Sequence, residues 1–165
     1  MAGLLNELMD ALEKQLVLFD GLIAFAAEKK ALIVKNDTAG LSKLTADENP
    51  VVMKIQKSDK TRAALMDDIA GVLGKDAGLT LSGLCECIIN QPEYGRLYAL
   101  TVKTREKIGE LKFLNDQNKV LVDSSLEYIN YTINAIRSSL MPEQAIYAAD
   151  GEELGVRRSF FDAKQ

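Results

Sequence analysis

The chain has 165 residues, which is enough for one domain with a sizeable core, whereas two domains would be crowded. Hydrophobic residues make up 47% of it and aromatic residues only 6%, with three prolines and no tryptophan, so the composition favours long helices and predicts an all-α fold. The formal charge of −4 is spread without a basic stripe, which argues against nucleic acid as a partner, and the absence of histidine excludes Ser-His-Asp and Cys-His nucleophile systems.

A first long helix is predicted from Leu4 to about Val34, where apolar residues recur at helical spacing without an intervening proline. The segment Lys35–Gly40 should break it. Asn36 tolerates the left-handed conformation that often follows a helix, and Asp37 is a good N-cap for the helix after it. Two helices are therefore expected to meet in a tight hairpin.

The second helix carries apolar positions from Leu41 to Leu73 and should run antiparallel to the first. Its apolar seam turns polar between Ser58 and Arg62. Pro50 lacks a backbone N–H and biases the preceding residue away from the α region. We therefore expect a kink or a short interruption near Ala46 to Asn49.

A short helix from Leu81 to Ile89 is predicted next, with Thr80 as its N-cap. Cys85 and Cys87 lie on it. Two residues apart, they point about 200° from each other around the helix axis, so one metal ion or one disulfide cannot engage both comfortably. We expect both to be small core residues.

The last helix should begin near Pro92, which suits a first helical turn, and continue without a break to Leu140. That is about 49 residues, or roughly 73 Å at 1.5 Å per residue. Hairpin arms of roughly 45 to 50 Å cannot cover all of it, so part of its apolar face must lack a partner from the hairpin. The predicted organisation is one elongated helical-bundle domain over residues 1–141 and a mobile C-terminal tail over 142–165.

The end of this long helix carries a row of large aliphatic side chains. The row keeps a 3-4-3-4 spacing and consists of Leu126, Ile129, Ile133, Ile136 and Leu140. Tyrosine and asparagine residues surround it, although a purely structural surface more often carries Glu, Lys or Ala. Two interpretations remain open, because the wall of a groove for a partner helix and an ordinary bundle core produce the same pattern.

No enzyme, cofactor or metal site is predicted. Adjacent carboxylates such as Asp67 and Asp68 diverge on a helix and do not form an acid–base pair. The longest apolar runs, such as Gly21 to Ala27, are far shorter than the roughly 20 residues that a bilayer crossing needs, so no membrane insertion is expected. Met1 begins with no basic region or cleavage pattern, which favours a cytoplasmic location.

Several short segments match the sequence patterns of a known family. They are EKKALIVKND (Glu28–Asp37), LSKLTADE (Leu41–Glu48), the stretch Lys57–Arg62, LKFLNDQNKVLVDSSLEYIN (Leu111–Asn130) and IYAADG (Ile146–Gly151). Asn115 and Asn118 fit the asparagine-rich spacing of the same family. Through most of Leu4 to Gly151 the chain thus resembles the FlgN family of flagellar export chaperones.

The resemblance implies an all-helical cytoplasmic chaperone that binds hook-filament junction proteins before type III export. It also implies delivery of these proteins to the flagellar export gate and its ATPase complex. In such proteins the C-terminal half grips an amphipathic helix at the C-terminal end of the substrate, and the row from Leu126 to Leu140 matches this gripping part. Tyr147 matches a tyrosine that engages the gate protein.

A rival interpretation from another class is a structural or signalling coiled-coil bundle. In that case the chain forms an obligate homodimer, and the surplus face of the long helix is its own subunit interface. Polar interruptions at Asn115, Asn118 and Ser125 would then set the register. The tail residues Phe160 and Phe161 could fill the groove or contact a neighbouring protomer in a homo-oligomer.

Overall fold

A computed structural model of the protein describes residues 1–76 and 78–140, and within these residues the chain forms helices and no strands. The helices are α1 (Ala2–Val34), α2 (Thr38–Leu73), α3 (Leu81–Cys87) and α4 (Tyr94–Leu140). The predicted all-α helical bundle is confirmed. The predicted bounds of the long helices agree with these to within about three residues, the usual uncertainty at helix ends.

The chain divides into two compact units, Met1–Tyr128 and Ile129–Gln165. The first unit contains α1, α2, α3 and the part of α4 that ends at Tyr128. The described part of the second unit is the helical stretch 129–140. The expected tail over residues 142–165, including Tyr147, Phe160 and Phe161, lies outside the described residues, so the predicted domain division stays a prediction.

The turn between α1 and α2 is formed by the residues that the sequence indicates. Asn36 has a positive φ of 54°, and the side chain of Asp37 accepts a hydrogen bond of 2.8 Å from the backbone N–H of Gly40. A Cβ at Gly40 would lie 2.8 Å from Cγ of Asp37 and 2.9 Å from Cδ2 of Leu32, so a side chain there would displace the capping carboxylate or Leu32. The predicted hairpin turn is confirmed.

Helix α2 continues through Pro50, so the short interruption expected near Ala46 to Asn49 is wrong, whereas a kink there stays a prediction. Proline removes one backbone hydrogen bond, but contacts with α1 hold the helix on both sides of it. Lys29 and Glu48 form an ion pair of 2.7 Å, and a Cβ at Gly21 would lie 3.8 Å from Val51. Because the residue numbers fall on α1 as they rise on α2, the two helices are antiparallel.

Helix α4 packs against α1 in the parallel direction within the first unit. The contacts pair Arg96 with Asp10 and Glu13, Lys107 with Asp20, and Asn118 with Ala26. Hydrogen bonds from Arg96 to Glu13 and then to Asp10 raise the pKa of the arginine. A hydrogen bond to Asp20 raises the pKa of Lys107 in the same way. These charged pairs are exposed, so they orient the helices more than they stabilise them.

The apolar core of the first unit lies where the start of α1, the end of α2, α3 and the start of α4 meet. It consists of Leu5, Leu8, Met9, Leu12, Met66, Ile69, Leu84, Cys85, Ile88, Leu97 and Leu100. Thr80 caps α3 as predicted, since its side chain accepts a hydrogen bond of 3.1 Å from the N–H of Gly83. Cys85 is buried as expected, but Cys87 is exposed, and its assignment to the core was wrong. Only one side of this short helix faces the core, and Cys87 lies on the other side.

Candidate binding surface on the last helix

The apolar row of α4 is open to solvent wherever its side chains are described. Leu126, in the first unit, is 54% exposed, and in the second unit Ile129, Ile133 and Ile136 are 47%, 42% and 53% exposed. Core residues of the first unit have exposures near zero. The side chain of Leu140 lies outside the described part of the chain. Large aliphatic side chains that repeat at helical spacing and remain exposed are typical of a binding surface.

Within the first unit, burial along α4 declines after Asn118. Lys30, one turn before the end of α1 at Val34, donates a hydrogen bond of 3.3 Å to Gln117. Beyond that level Val120 and Val122 are exposed. The hairpin thus covers the first part of α4 and leaves its following turns open, as the predicted helix lengths required.

A shallow groove of about 440 Å³ lies beside the end of α1, within the first unit. It is lined by Lys30, Phe113, Asp116, Gln117, Val120 and Leu121. The ring of Phe113 is 61% exposed. The site predicted from the sequence was the row from Leu126 to Leu140 and did not include this surface. The signal was available, since Phe113 and Val120 are seven residues apart and share a different side of the helix.

Two tyrosine rings lie on other sides of α4, with Tyr131 about 180° and Tyr128 about 120° around the helix axis from the centre of the aliphatic row. Tyr128 and Tyr131 are both largely exposed. Tyrosine is enriched in protein interfaces because its rigid ring offers apolar area while its hydroxyl forms hydrogen bonds. Because of their positions around the helix, these two rings do not form a polar edge of the aliphatic row.

The described residues provide no alternative site based on metal chemistry. No group of three or more Cys, Asp or Glu side chains able to hold a metal ion occurs within residues 1–76 and 78–140. Cys85 has a Thr101 hydroxyl at 3.7 Å from its sulfur, which is a core contact. In the same part of the chain, no helix combines the length and apolar character that a membrane span requires.

An all-α bundle with a row of exposed aliphatic side chains on one helix is typical of helical proteins that bind a partner helix. The model of the family described as FlgN protein matches residues 1–155. The chain therefore belongs to the FlgN family, and membership implies a flagellar export chaperone. The resemblance found in the sequence is thereby confirmed. Comparisons with curated proteins and with solved structures give no significant match.

Proposed function

We propose that this protein is a cytoplasmic chaperone that binds the C-terminal helices of hook-filament junction proteins and delivers them to the flagellar type III export gate and its ATPase complex. The proposal rests on membership of the FlgN family and on one observation, the solvent exposure of Leu126, Ile129, Ile133 and Ile136. It assigns no catalytic step and no cofactor to the chain.

The aliphatic row offers anchors at the spacing by which an amphipathic helix binds. A substrate helix with apolar residues at i, i+3, i+4 and i+7 can interdigitate with Leu126, Ile129, Ile133, Ile136 and Leu140. This arrangement selects for a helical, amphipathic ligand and tolerates variation in its polar residues.

The free energy available from such a contact suits a chaperone that must release its cargo. Burying four or five Ile and Leu side chains contributes about 1.5 to 3 kcal/mol each, or about 6 to 15 kcal/mol before costs. Ordering a disordered substrate segment costs about 2 to 5 kcal/mol, and lost rigid-body freedom costs about 4 kcal/mol or more. The net is at most about 9 kcal/mol, so a dissociation constant near micromolar is the tightest that these terms allow.

Isothermal titration calorimetry with the C-terminal segment of a hook-filament junction protein tests the proposal. We expect micromolar binding to the wild-type chain and at least about tenfold weaker binding to Ile133→Glu, because a buried unpaired carboxylate opposes docking. Val17→Glu is the matched control, since Val17 is a 70% exposed aliphatic residue on α1. The proposal would be refuted if no heat of binding were detected at tens of micromolar protein. It would also be refuted if Ile133→Glu and Val17→Glu lost equal affinity for the segment.

We further propose that Tyr147 engages the export gate protein, on the basis of family membership and of the match at Ile146–Gly151. Substitution Tyr147→Ala should then abolish gate binding and reduce motility while leaving the affinity for the substrate segment unchanged. Unchanged gate binding and motility would refute this role.

The exposed row also fits the interface of a homodimer, which is the second candidate function. Light scattering across a dilution series distinguishes a structural homodimer from a chaperone. A dimer that persists at nanomolar concentration and ignores the substrate segment would support a structural coiled-coil bundle. A monomer, or a dimer that substrate dissociates, would support the chaperone.

A further inference from the structure

A second groove runs along the hairpin of the first unit, between α1 and α2. It has a volume of about 700 Å³ and is lined only by residues of these two helices, from Glu7 to Leu18 and from Lys54 to Leu65. On each helix the lining residues follow a three-to-four step. Two antiparallel rows of this kind form a trough of about 16 Å at 1.5 Å per residue, the length of three turns of a helix.

The floor of this groove is apolar. Ala11, Leu18 and Leu65 line it, and each is half-buried, so each retains apolar area that a ligand can still cover. The seam between the helices also turns polar here, because Ser58 and Thr61 take positions where other turns carry aliphatic residues. The hairpin thus packs less completely along these turns than it does near the core.

The rim of the groove is positively charged. Lys14, Lys54 and Lys57 line it and are exposed, and none forms an ion pair with a carboxylate of the described residues. Of the two acidic lining residues, Asp10 is bound to Arg96 at 3.1 Å, which leaves Glu7 as the counter-charge. Three ammonium groups without an ion-pair partner among the described residues surround an apolar floor, in a chain whose formal charge is −4.

We propose that the groove between α1 and α2 is a docking site for an acidic amphipathic helix of a partner protein. The apolar face of the partner helix covers Ala11, Leu18 and Leu65. The carboxylates of the partner helix pair with Lys14, Lys54 and Lys57. Charge complementarity selects an acidic partner, and the apolar floor selects a helix with one apolar face. Nucleic acid fits less well, because no arginine or aromatic side chain lines the groove.

This docking site shares no residue with the aliphatic row of α4, so the inference stands independently of the proposed substrate. A chaperone with two separate surfaces can hold a substrate on one while it contacts an acidic helix of another protein on the other. The two sites can therefore be tested separately by variants in the full-length chain.

The probe is a fluorescein-labelled designed peptide of about 18 residues, with leucine along one helical face and glutamate on both flanks. Its matched control has the same composition in an order that destroys the apolar face. The fluorescence anisotropy of each labelled peptide, titrated with the full-length protein, measures the affinity of the protein for that peptide. We expect the amphipathic peptide to bind at least about tenfold more tightly than the scrambled one, with an affinity that falls as salt is added.

The site is identified by variants. We expect the triple variant Lys14→Gln, Lys54→Gln, Lys57→Gln to weaken peptide binding at least about tenfold. Lys43→Gln, an exposed lysine elsewhere on α2, and Ile133→Glu on α4 should each leave it within about twofold. The three substituted positions are exposed, so the triple variant should fold, and a thermal melt checks this.

Four results would overturn the inference. These are no binding at several hundred micromolar, equal affinity for the two peptides, equal affinity of wild type and triple variant, and loss of peptide binding in Ile133→Glu alone. Tighter binding of an oligothymidine than of the peptide would assign the groove to nucleic acid instead. A dimer that the triple variant disperses would assign it to a second copy of the chain.

Discussion

Asn118 on α4 donates a hydrogen bond from Nδ2 to the backbone carbonyl oxygen of Ala26 on α1, at 2.8 Å. Asn118 is 5% exposed, and its Oδ1 has no hydrogen-bond partner among the described residues. A buried amide that is hydrogen-bonded to a backbone carbonyl fixes the axial position of one helix relative to the other. Asn118 therefore sets the register of α4 on α1 within the first unit.

Replacing Asn118 by alanine should destabilise the protein by about 1 to 2 kcal/mol, because a buried hydrogen bond is lost and a small void remains. Urea denaturation followed by circular dichroism measures the change. Asn115→Ala is the matched control, since Asn115 is exposed three residues earlier, and it should change stability by less than about 0.5 kcal/mol. Equal effects of the two substitutions would contradict the register role.

A matched pair of leucine substitutions separates the core from the exposed row. Leu12→Ala should destabilise the first unit by about 2 to 5 kcal/mol, since Leu12 is completely buried. Leu126→Ala should change stability by less than about 0.5 kcal/mol, because Leu126 is already exposed. Urea denaturation measures both, and a large loss in Leu126→Ala would show that the row supports the fold.

Pro50→Ala should stabilise the protein by about 1 to 2 kcal/mol. Alanine restores the missing backbone hydrogen bond inside α2, which outweighs the conformational entropy that the unfolded chain regains without proline. Pro92→Ala, just before α4, is the control and should have no stabilising effect. A lower melting temperature for Pro50→Ala than for wild type would contradict this account of α2.

Thiol labelling should distinguish the two cysteines. Cys87 is exposed and should react with iodoacetamide in the native protein, whereas Cys85 is buried and should react only on unfolding. Mass spectrometry of proteolytic fragments assigns the modified residue. Equal native rates at both positions would contradict the placement of α3.

The helices and their ends could be predicted because the signals are local. Asn36, Asp37 and Thr80 act through hydrogen bonds to residues within a few positions in the sequence, so their roles can be inferred without knowing the fold. The uninterrupted apolar spacing up to Leu140 likewise predicted one long final helix.

Features that depend on distant neighbours were not predicted. The continuity of α2 at Pro50 depends on packing against α1, and the exposure of Cys87 depends on which side of α3 faces the core. The groove beside Phe113 depends on which residues of α1, such as Lys30, lie next to α4. For the same reason, helical spacing predicted the row of Ile and Leu on α4 but did not decide whether it was exposed.

The most direct test of the central claim is methyl NMR on isoleucine-labelled protein titrated with the C-terminal segment of a hook-filament junction protein. The account predicts that the methyl signals of Ile129, Ile133 and Ile136 shift or broaden with saturation, while those of buried Ile69 and Ile88 remain unchanged. Shifts confined to other isoleucines, with the three α4 signals unmoved at saturating peptide, would contradict it.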